Sequence, residues 1–412
     1  MDRRPECLSY CWAGPDLNQF LSILCLLGLL ATAGSAQPTE VREVVEVTKD
    51  QAVFRNGPDG DFDRYTPVAA GVRFEILGRQ GDWLHVSPPD AYIQQKDVKV
   101  LPPGSALWPS KVHVVKIKES PDGATEVRVR LYHPCAWQIQ EDPELGRIFV
   151  DFPGVPMKMH EMAFAQDARR VPSARLHASP QGTQLELVVA NGIWGYQASW
   201  DHDDLVLRLP APVGELRGLK VTLDAGHGGS DAGAPGIEGH FEKNYNLAVT
   251  AALKKELEEA GAIVTMTRET DVDVNPLGAA ATQEQELGTR VQIAEKSGSQ
   301  LFVSIHHNAM ADLEAGRKAH GCHIYYYHPH SRAMAQAIAK PLADSIGESS
   351  SMHLWRSFFV TRQAGMPAIL IECNFVSNPQ LEKDMLMQPD YPTKAAQGIR
   401  QGLEDYLKAA KK

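Results

Sequence analysis

Two textures of hydrophobic and polar positions divide the chain. From Glu40 to about Pro102, short runs alternate apolar and polar residues and are cut by turn signals, which predicts a small all-β domain over 37–102. Within it, "GVRFEILGRQGDWLHV" predicts two strands around "GRQGD", and "RNGPDG" predicts a turn at Asn56-Gly57-Pro58. The Pro-, Gly- and Ser-containing stretch "PPGSALWPS" (102–110) predicts a linker. A second alternating region follows over 108–212, with "TEVRVRLY", "RIFVDFPG", "TQLELVVA" and "DLVLRLP" as half-buried antiparallel strands, closed by "PAPVGE".

From Leu216 the pattern changes. "LKVTLDAG", "AIVTMTR", "SQLFVSIHHNA" and "AGMPAILIECNFVSN" are continuous apolar runs of the buried-strand kind. Between them, "NYNLAVTAALKKELEEAG" has helical spacing, with Leu247, Ala251 and Leu257 on one side and Gly261 as its stop. "TKAAQGIRQGLEDYLKAAKK" predicts a closing helix with Ile399, Leu403 and Leu407 in register. Strands alternating with helices predict an α/β domain over 216–412, a mostly parallel central sheet flanked by helices. The whole chain is then an α/β domain preceded by two small all-β domains. Sites in such sheets form at the carboxyl ends of the strands.

The N-terminus follows neither texture. Arg3 and Arg4 lead into the apolar run "FLSILCLLGLLATAG", and the small residues "GSAQ" allow cleavage after Ala36. Residues 1–36 are expected to be a secretory signal peptide, leaving no stable membrane span. An uncleaved anchor is the competing reading, and the run is short for one. Of six cysteines, Cys7, Cys11 and Cys25 fall in this segment. Cys135, Cys322 and Cys373 make no disulfide framework; Cys322 and Cys373 either pair or are small buried side chains. A formal net charge of −10 excludes nucleic acid as the natural partner.

Candidate chemistry gathers at the strand ends of the third region. His227 follows "VTLDAG", Glu242 opens the helix, His306 and His307 end "LFVSI", and Glu372 ends "AILI". Two histidines and a carboxylate are a common zinc set with a fourth position left for water. A further carboxylate that is not a ligand can take a proton from that water. Each residue taken alone has a plainer explanation: a loop histidine, glycines shaping a turn, a glutamate facing a helix dipole. Successive strand side chains face opposite ways, so at most one of His306 and His307 joins the site. Glu372 is hardest to explain away, because an unpartnered carboxylate in an apolar run is costly.

The blocks "VTLDAGHGGSDAGAPG", "GHFEKNYNLA", "TMTRETD", "TRVQIAE", "LFVSIHHNA", "GCHIYYY" and "PAILIECNFVSN" occur in family order. On them, the region from Leu219 onward resembles the zinc-dependent N-acetylmuramoyl-L-alanine amidases of the amidase-3 type. That resemblance implies Zn2+ held by His227, Glu242 and His306, with Glu372 as the catalytic acid/base. It also implies that His306 rather than His307 is the ligand. The implied reaction is hydrolysis of the amide between the lactyl group of N-acetylmuramic acid and the L-alanine of the stem peptide in peptidoglycan. Arg268 and Arg290 are expected to be structural ion partners, and Asn308 to orient substrate or the ligand loop.

The first β-domain, through "VFRNGP", "GDW" and "AYIQQKDVKVL", resembles bacterial SH3-type modules; the second, through its strand order, resembles AMIN domains. Those resemblances imply an exported wall enzyme in the periplasm, with secretion as the alternative, and envelope activator or division proteins as partners. Two rival functions remain: an inactive wall-binding or regulatory protein on the same scaffold, and a zinc peptidase acting within the stem peptide. The sequence departs from the family pattern at His307, at Asn374, at "IAEK", and in an insertion, "GAAATQEQE", between Leu277 and Arg290. Only "MADLEAGRKAHG" separates Ala309 from Cys322, so a long self-blocking helix there is not expected.

Overall fold

The computed structural model describes residues 42–410, apart from 51, 60, 61, 63, 158–160, 165–167 and 238. The expected signal peptide lies outside the described residues. The first region forms one six-stranded antiparallel sheet, in the order Phe54–Arg55, Ala91–Gln94, Trp83–Ser87, Arg73–Gln80, Val44–Val47, Val98–Val100. Its alternate residues Val45, Phe54, Phe74, Leu84 and Ile93 close a small core. The expected hairpin is tighter than "GRQGD": Gln80 pairs with Trp83, so only Gly81 and Asp82 turn. The linker is fastened at both ends. Arg73 lies 4.2 Å over the Trp108 ring and donates to the Ala106 carbonyl, while that ring also packs on His133.

The second region is a pair of sheets. One runs Ser173–Ser179, Gly182–Val188, Arg147–Pro153, Gln138–Asp142. The other runs Glu161–Phe164, Val112–Glu119, Thr125–Leu131, Asp204–Leu209, Gln197–Asp201. The inward residues of both, among them Ile117, Val129, Ile148, Phe152, Leu185 and Leu207, form one apolar core. Each such side chain contributes about 1.5–3 kcal/mol by leaving water.

The third region supplies the strand ends. Its strands are β1 (Lys220–Ala225), β2 (Ile263–Met266), β3 (Leu301–Asn308), β4 (Cys322–Tyr326), β5 (Ser351–Trp355) and β6 (Ala368–Phe375). Its principal helices are α1 (Glu242–Glu259), α2 (Gln283–Lys296), α3 (Arg332–Ile346), α4 (Phe359–Gln363) and α5 (Tyr391–Ala410). The sheet order is β2-β1-β3-β6-β4-β5. Four pairings are parallel, but β4 runs antiparallel to β6, so the sheet is mixed. β1, β3 and β6 lie in its middle and end together, which brings His306 level with Glu372.

The helix faces follow spacing with one correction. In α5, Ile399, Leu403 and Leu407 are buried as expected. In α1 the buried apolar stripe is Tyr245, Val249, Leu253 and Leu257, whereas Leu247 is half-buried and Ala251 exposed. The reason is polar: Glu242, Asn246 and Thr250 are buried too, and they turn the inward face toward the strand ends. The insertion before Arg290 becomes the cap of α2, where Thr282 and Gln285 each accept from the other's backbone N–H. The segment between Ala309 and Cys322 holds one four-residue helix, Leu313–Gly316. Cys322 and Cys373 are both free and buried, the Cys322 thiol donating to the Cys373 carbonyl at 3.2 Å. No helix among the described residues is long and apolar enough to cross a membrane.

Candidate active site and metal centre

His227, Glu242 and His306 come together at the ends of β1, α1 and β3. Each offers one ligand-type atom, and these atoms all lie within 4.8 Å of one another. His306 Nδ1 is 2.9 Å and His227 Nε2 3.2 Å from Glu242 Oε1. The rings of His227 and His306 meet edge-on, with centroids 4.9 Å apart. Burial opposes charge on His227, but hydrogen bonds to Asp231 and Glu242 outweigh it and push its pKa up to about 10. Burial likewise works against the Glu242 carboxylate, yet hydrogen bonds from His227 and His306 hold it well below the usual range.

Two glycines make the room. A Cβ on Gly226 would lie 2.2 Å from His306 Cε1, inside the imidazole ring's space. A Cβ on Gly233, whose φ is +67°, would lie 2.8 Å from both Glu242 Oε2 and His227 Cδ2. No side chain larger than hydrogen fits at either position without displacing a member of the cluster.

His227 itself has a left-handed φ of 59°. For a residue with a Cβ that conformation costs roughly 1–2 kcal/mol, so the surroundings must hold it. Two arginines do so. Arg290 donates to the carbonyls of Ala225 and His227, both at 2.9 Å. Arg268 donates to those of Ala225 and Gly226, also at 2.9 Å. Arg290 in turn pairs at 2.8 Å with buried Asp224, which accepts from Thr267 and Ser304 as well. The two arginines are thus tied into the turn that carries His227. Asp231 completes the orientation: its carboxylate takes His227 Nδ1 at 2.8 Å, which turns Nε2 toward Glu242.

The adjacent histidines of β3 point to opposite faces. His307 is buried against α1 and α5, with Nδ1 at 2.8 Å from Asn246 Oδ1 and Nε2 at 2.8 Å from the Tyr391 hydroxyl. Burial pushes its pKa down to about 3, so it is a neutral packing group.

Glu372 stands beside the three-residue cluster. Its Oε2 is shut off from solvent and has no hydrogen-bond partner. Burial first, and then the charge of Glu242, push its carboxyl well above the ordinary value, with His227 opposing. Across the antiparallel register from it sits His323, edge-on to Phe375 and within 3.5 Å of the Asn308 amide.

The sequence profile of the N-acetylmuramoyl-L-alanine amidases matches residues 221–405. The germination-specific N-acetylmuramoyl-L-alanine amidase of Bacillus subtilis (strain 168) is 33% identical over 200 residues, which span 47% of this chain and 81% of that protein. The chain belongs to the N-acetylmuramoyl-L-alanine amidase family. A probable cell wall amidase, LytH, of Staphylococcus saprophyticus is 27% identical over 260 residues, 58% of this chain and 81% of the relative. Among solved structures, the catalytic domain of the amidase CwlV from Bacillus (Paenibacillus) polymyxa var. colistinus shares 32% identity over 46% of this chain and 98% of its own, at a TM-score of 0.40.

Sequence reasoning passed over two residues of this amidase's site. Asp231 lies four positions after His227, a spacing that in a glycine-rich turn was the available signal. His323 sits in a quoted block, "GCHIYYY", but its place opposite Glu372 depends on the antiparallel run of β4, which strand patterns do not reveal. Asn374, expected to depart from the family pattern, is buried and structural: its Oδ1 accepts from the Gly321 N–H and its Nδ2 donates to Glu348.

Proposed function

We propose that this amidase hydrolyses the bond between the lactyl carbonyl of N-acetylmuramic acid and the amine of L-alanine in peptidoglycan, with zinc held by His227, Glu242 and His306. The donor set fits the ion: two imidazole nitrogens and one carboxylate oxygen suit zinc and leave a position free. The glycine cradle and the Asp231–His227 hydrogen bond support the same assignment, since ligand histidines are usually oriented through their second nitrogen. When bound, zinc supplies a Lewis acid that polarises the amide carbonyl and acidifies water.

The observation that carries the mechanism is the buried, unpartnered Oε2 of Glu372 beside the cluster. A carboxylate there accepts a proton as water oxygen bonds to the lactyl carbonyl carbon. The raised pKa of its carboxyl favours that uptake, and the same carboxyl then passes the proton to the L-alanine nitrogen as the carbon–nitrogen bond breaks. The products are a free lactyl carboxylate and a stem peptide with a new amino terminus. Asn308 and His323, held against each other next to Glu372, are placed to position the substrate amide.

We read the two β-regions as SH3-type and AMIN-like modules that keep the catalytic region near insoluble wall material, raising its effective concentration there. That role fits an exported enzyme of the periplasm and envelope partners. The test is digestion of purified peptidoglycan followed by mass spectrometry. Free stem peptides beginning with L-alanine are expected, and chelation abolishes them. Fragments cut within the peptide point to a peptidase, and unaltered sacculi to an inactive binding protein; either overturns the proposal.

A further inference from the structure

A second group of two histidines and a glutamate lies away from the site. Glu141 belongs to strand Gln138–Asp142 of the second β-region; His328 and His330 follow β4 in the α/β region. Their ligand-type atoms also lie within 4.8 Å of one another. The pairing of β4 with β6 runs from His323 opposite Glu372 to Tyr326 opposite Ile369, so this group sits beyond the other end of the sheet from the catalytic cluster.

Three observations mark it as more than packing. First, His328 Nε2 lies 3.0 Å from the Arg362 carbonyl, which can only accept. The ring proton is therefore on Nε2, and Nδ1 presents a lone pair. Second, that lone pair faces Glu141 Oε1 at 4.0 Å, two acceptors opposed in a dry place; the Glu141 side chain is 2% exposed. Zinc bonds of about 2.0–2.2 Å reach across such a gap. Third, His330 closes the group: its backbone N–H and Nδ1 lie 3.1 and 2.8 Å from Glu141 Oε2, while its Nε2 is buried with no partner. The two imidazoles stack 5.1 Å apart and 7° from parallel, and the Tyr196 and Tyr327 rings wall them edge-on. Such an apolar wall keeps water from competing for the ligands.

We propose that Glu141, His328 and His330 form a second divalent-cation site, taking zinc, that fastens the second β-region to the α/β region. His328 binds through Nδ1, Glu141 through its carboxylate and His330 through a ring nitrogen. The group lies at the edge of a cavity of about 1140 Å³ between the two regions, with Glu141, His328 and His330 among its lining residues. The carboxylates that line it are Glu141 itself and Glu295. The role we assign is structural, because the three groups come from two regions of the chain and a shared ion ties them together.

The test counts zinc per full-length chain by mass spectrometry of the metal after exhaustive dialysis. Wild type is expected to hold two, the His227→Ala/His306→Ala variant one, and the same variant with Glu141→Gln and His328→Ala none. One zinc in wild type, removed by His227→Ala/His306→Ala, overturns the second site and leaves a metal-free histidine–carboxylate contact. One zinc that only Glu141→Gln/His328→Ala removes keeps this site and instead defeats the zinc assignment of the catalytic cluster. Should the fourfold variant not fold, cobalt loading of His227→Ala/His306→Ala decides alone. Visible absorption bands of low-coordinate cobalt support the site, and a spectrum without them overturns it.

Discussion

Two clusters of the same composition sit at opposite ends of one sheet. His227, Glu242 and His306 gather in a glycine cradle; Glu141, His328 and His330 gather beside aromatic rings, where the second β-region meets the α/β region. The ligand-type atoms are alike in kind and in spread, so the difference lies in the neighbours. Beside the first cluster stands Glu372, whose Oε2 is buried and has no hydrogen-bond partner, and whose raised carboxyl pKa comes from burial and the charge of Glu242. Beside the second stand the rings of Tyr196 and Tyr327, edge-on to the histidines. A ligand set alone does not make a catalyst; the group placed next to it does.

The largest effect that breaks the comparison comes from Glu242. Glu242→Ala removes the oxygen on which His227 and His306 converge, and is expected to lower peptidoglycan release to background and to empty the catalytic zinc site. Zinc retained at full occupancy, with normal turnover, would show that the cluster is only a hydrogen-bonded triad. A smaller effect separates ligands from their supports. Asp231→Asn keeps the shape but weakens the hold on His227 Nδ1, and is expected to loosen zinc by about 10–100-fold in a chelator competition. Unchanged competition would deny Asp231 that orienting role.

The smallest effect concerns the neutral neighbour His307. Its folded pKa of about 3 lies below the ordinary 6.5, so the folded state binds fewer protons than the unfolded state in between. The stability it confers is complete above pH 6.5 and is lost as pH falls toward 3. At pH 4.5 the loss is on the order of 3 kcal/mol for a group buried this fully. Urea midpoints at pH 7.5 and 4.5 should therefore fall less in His307→Gln than in wild type. Equal falls would place the acid sensitivity elsewhere.

How much of this was readable from sequence depends on the range of each contact. The strand ends carrying His227, His306 and Glu372 were legible because continuous apolar runs mark buried strands, and polar residues at their ends have few other reasons to be there. The family resemblance then separated His306 from His307, and the two rings do face opposite sides of β3. The inward face of α1 was misjudged, because spacing rules assume that buried means apolar, and Glu242, Asn246 and Thr250 are buried for the site's sake. The arginine frame around the His227 turn was expected only in outline. The Glu141–His328–His330 group was invisible: it joins a strand to a short turn 189 positions further along the chain, and "YYYHPH" by itself reads as an ordinary turn.

The measurement that bears most directly on the contrast between the clusters is a paired assay of Glu372→Gln: zinc per chain, and the rate at which L-alanine-terminated stem peptides leave purified peptidoglycan. With the ligands intact and the proton acceptor gone, zinc content should equal that of wild type while the rate falls by roughly 10²–10⁴-fold. A rate within a few-fold of wild type, at equal zinc, would contradict the claim that Glu372 is what sets the catalytic cluster apart.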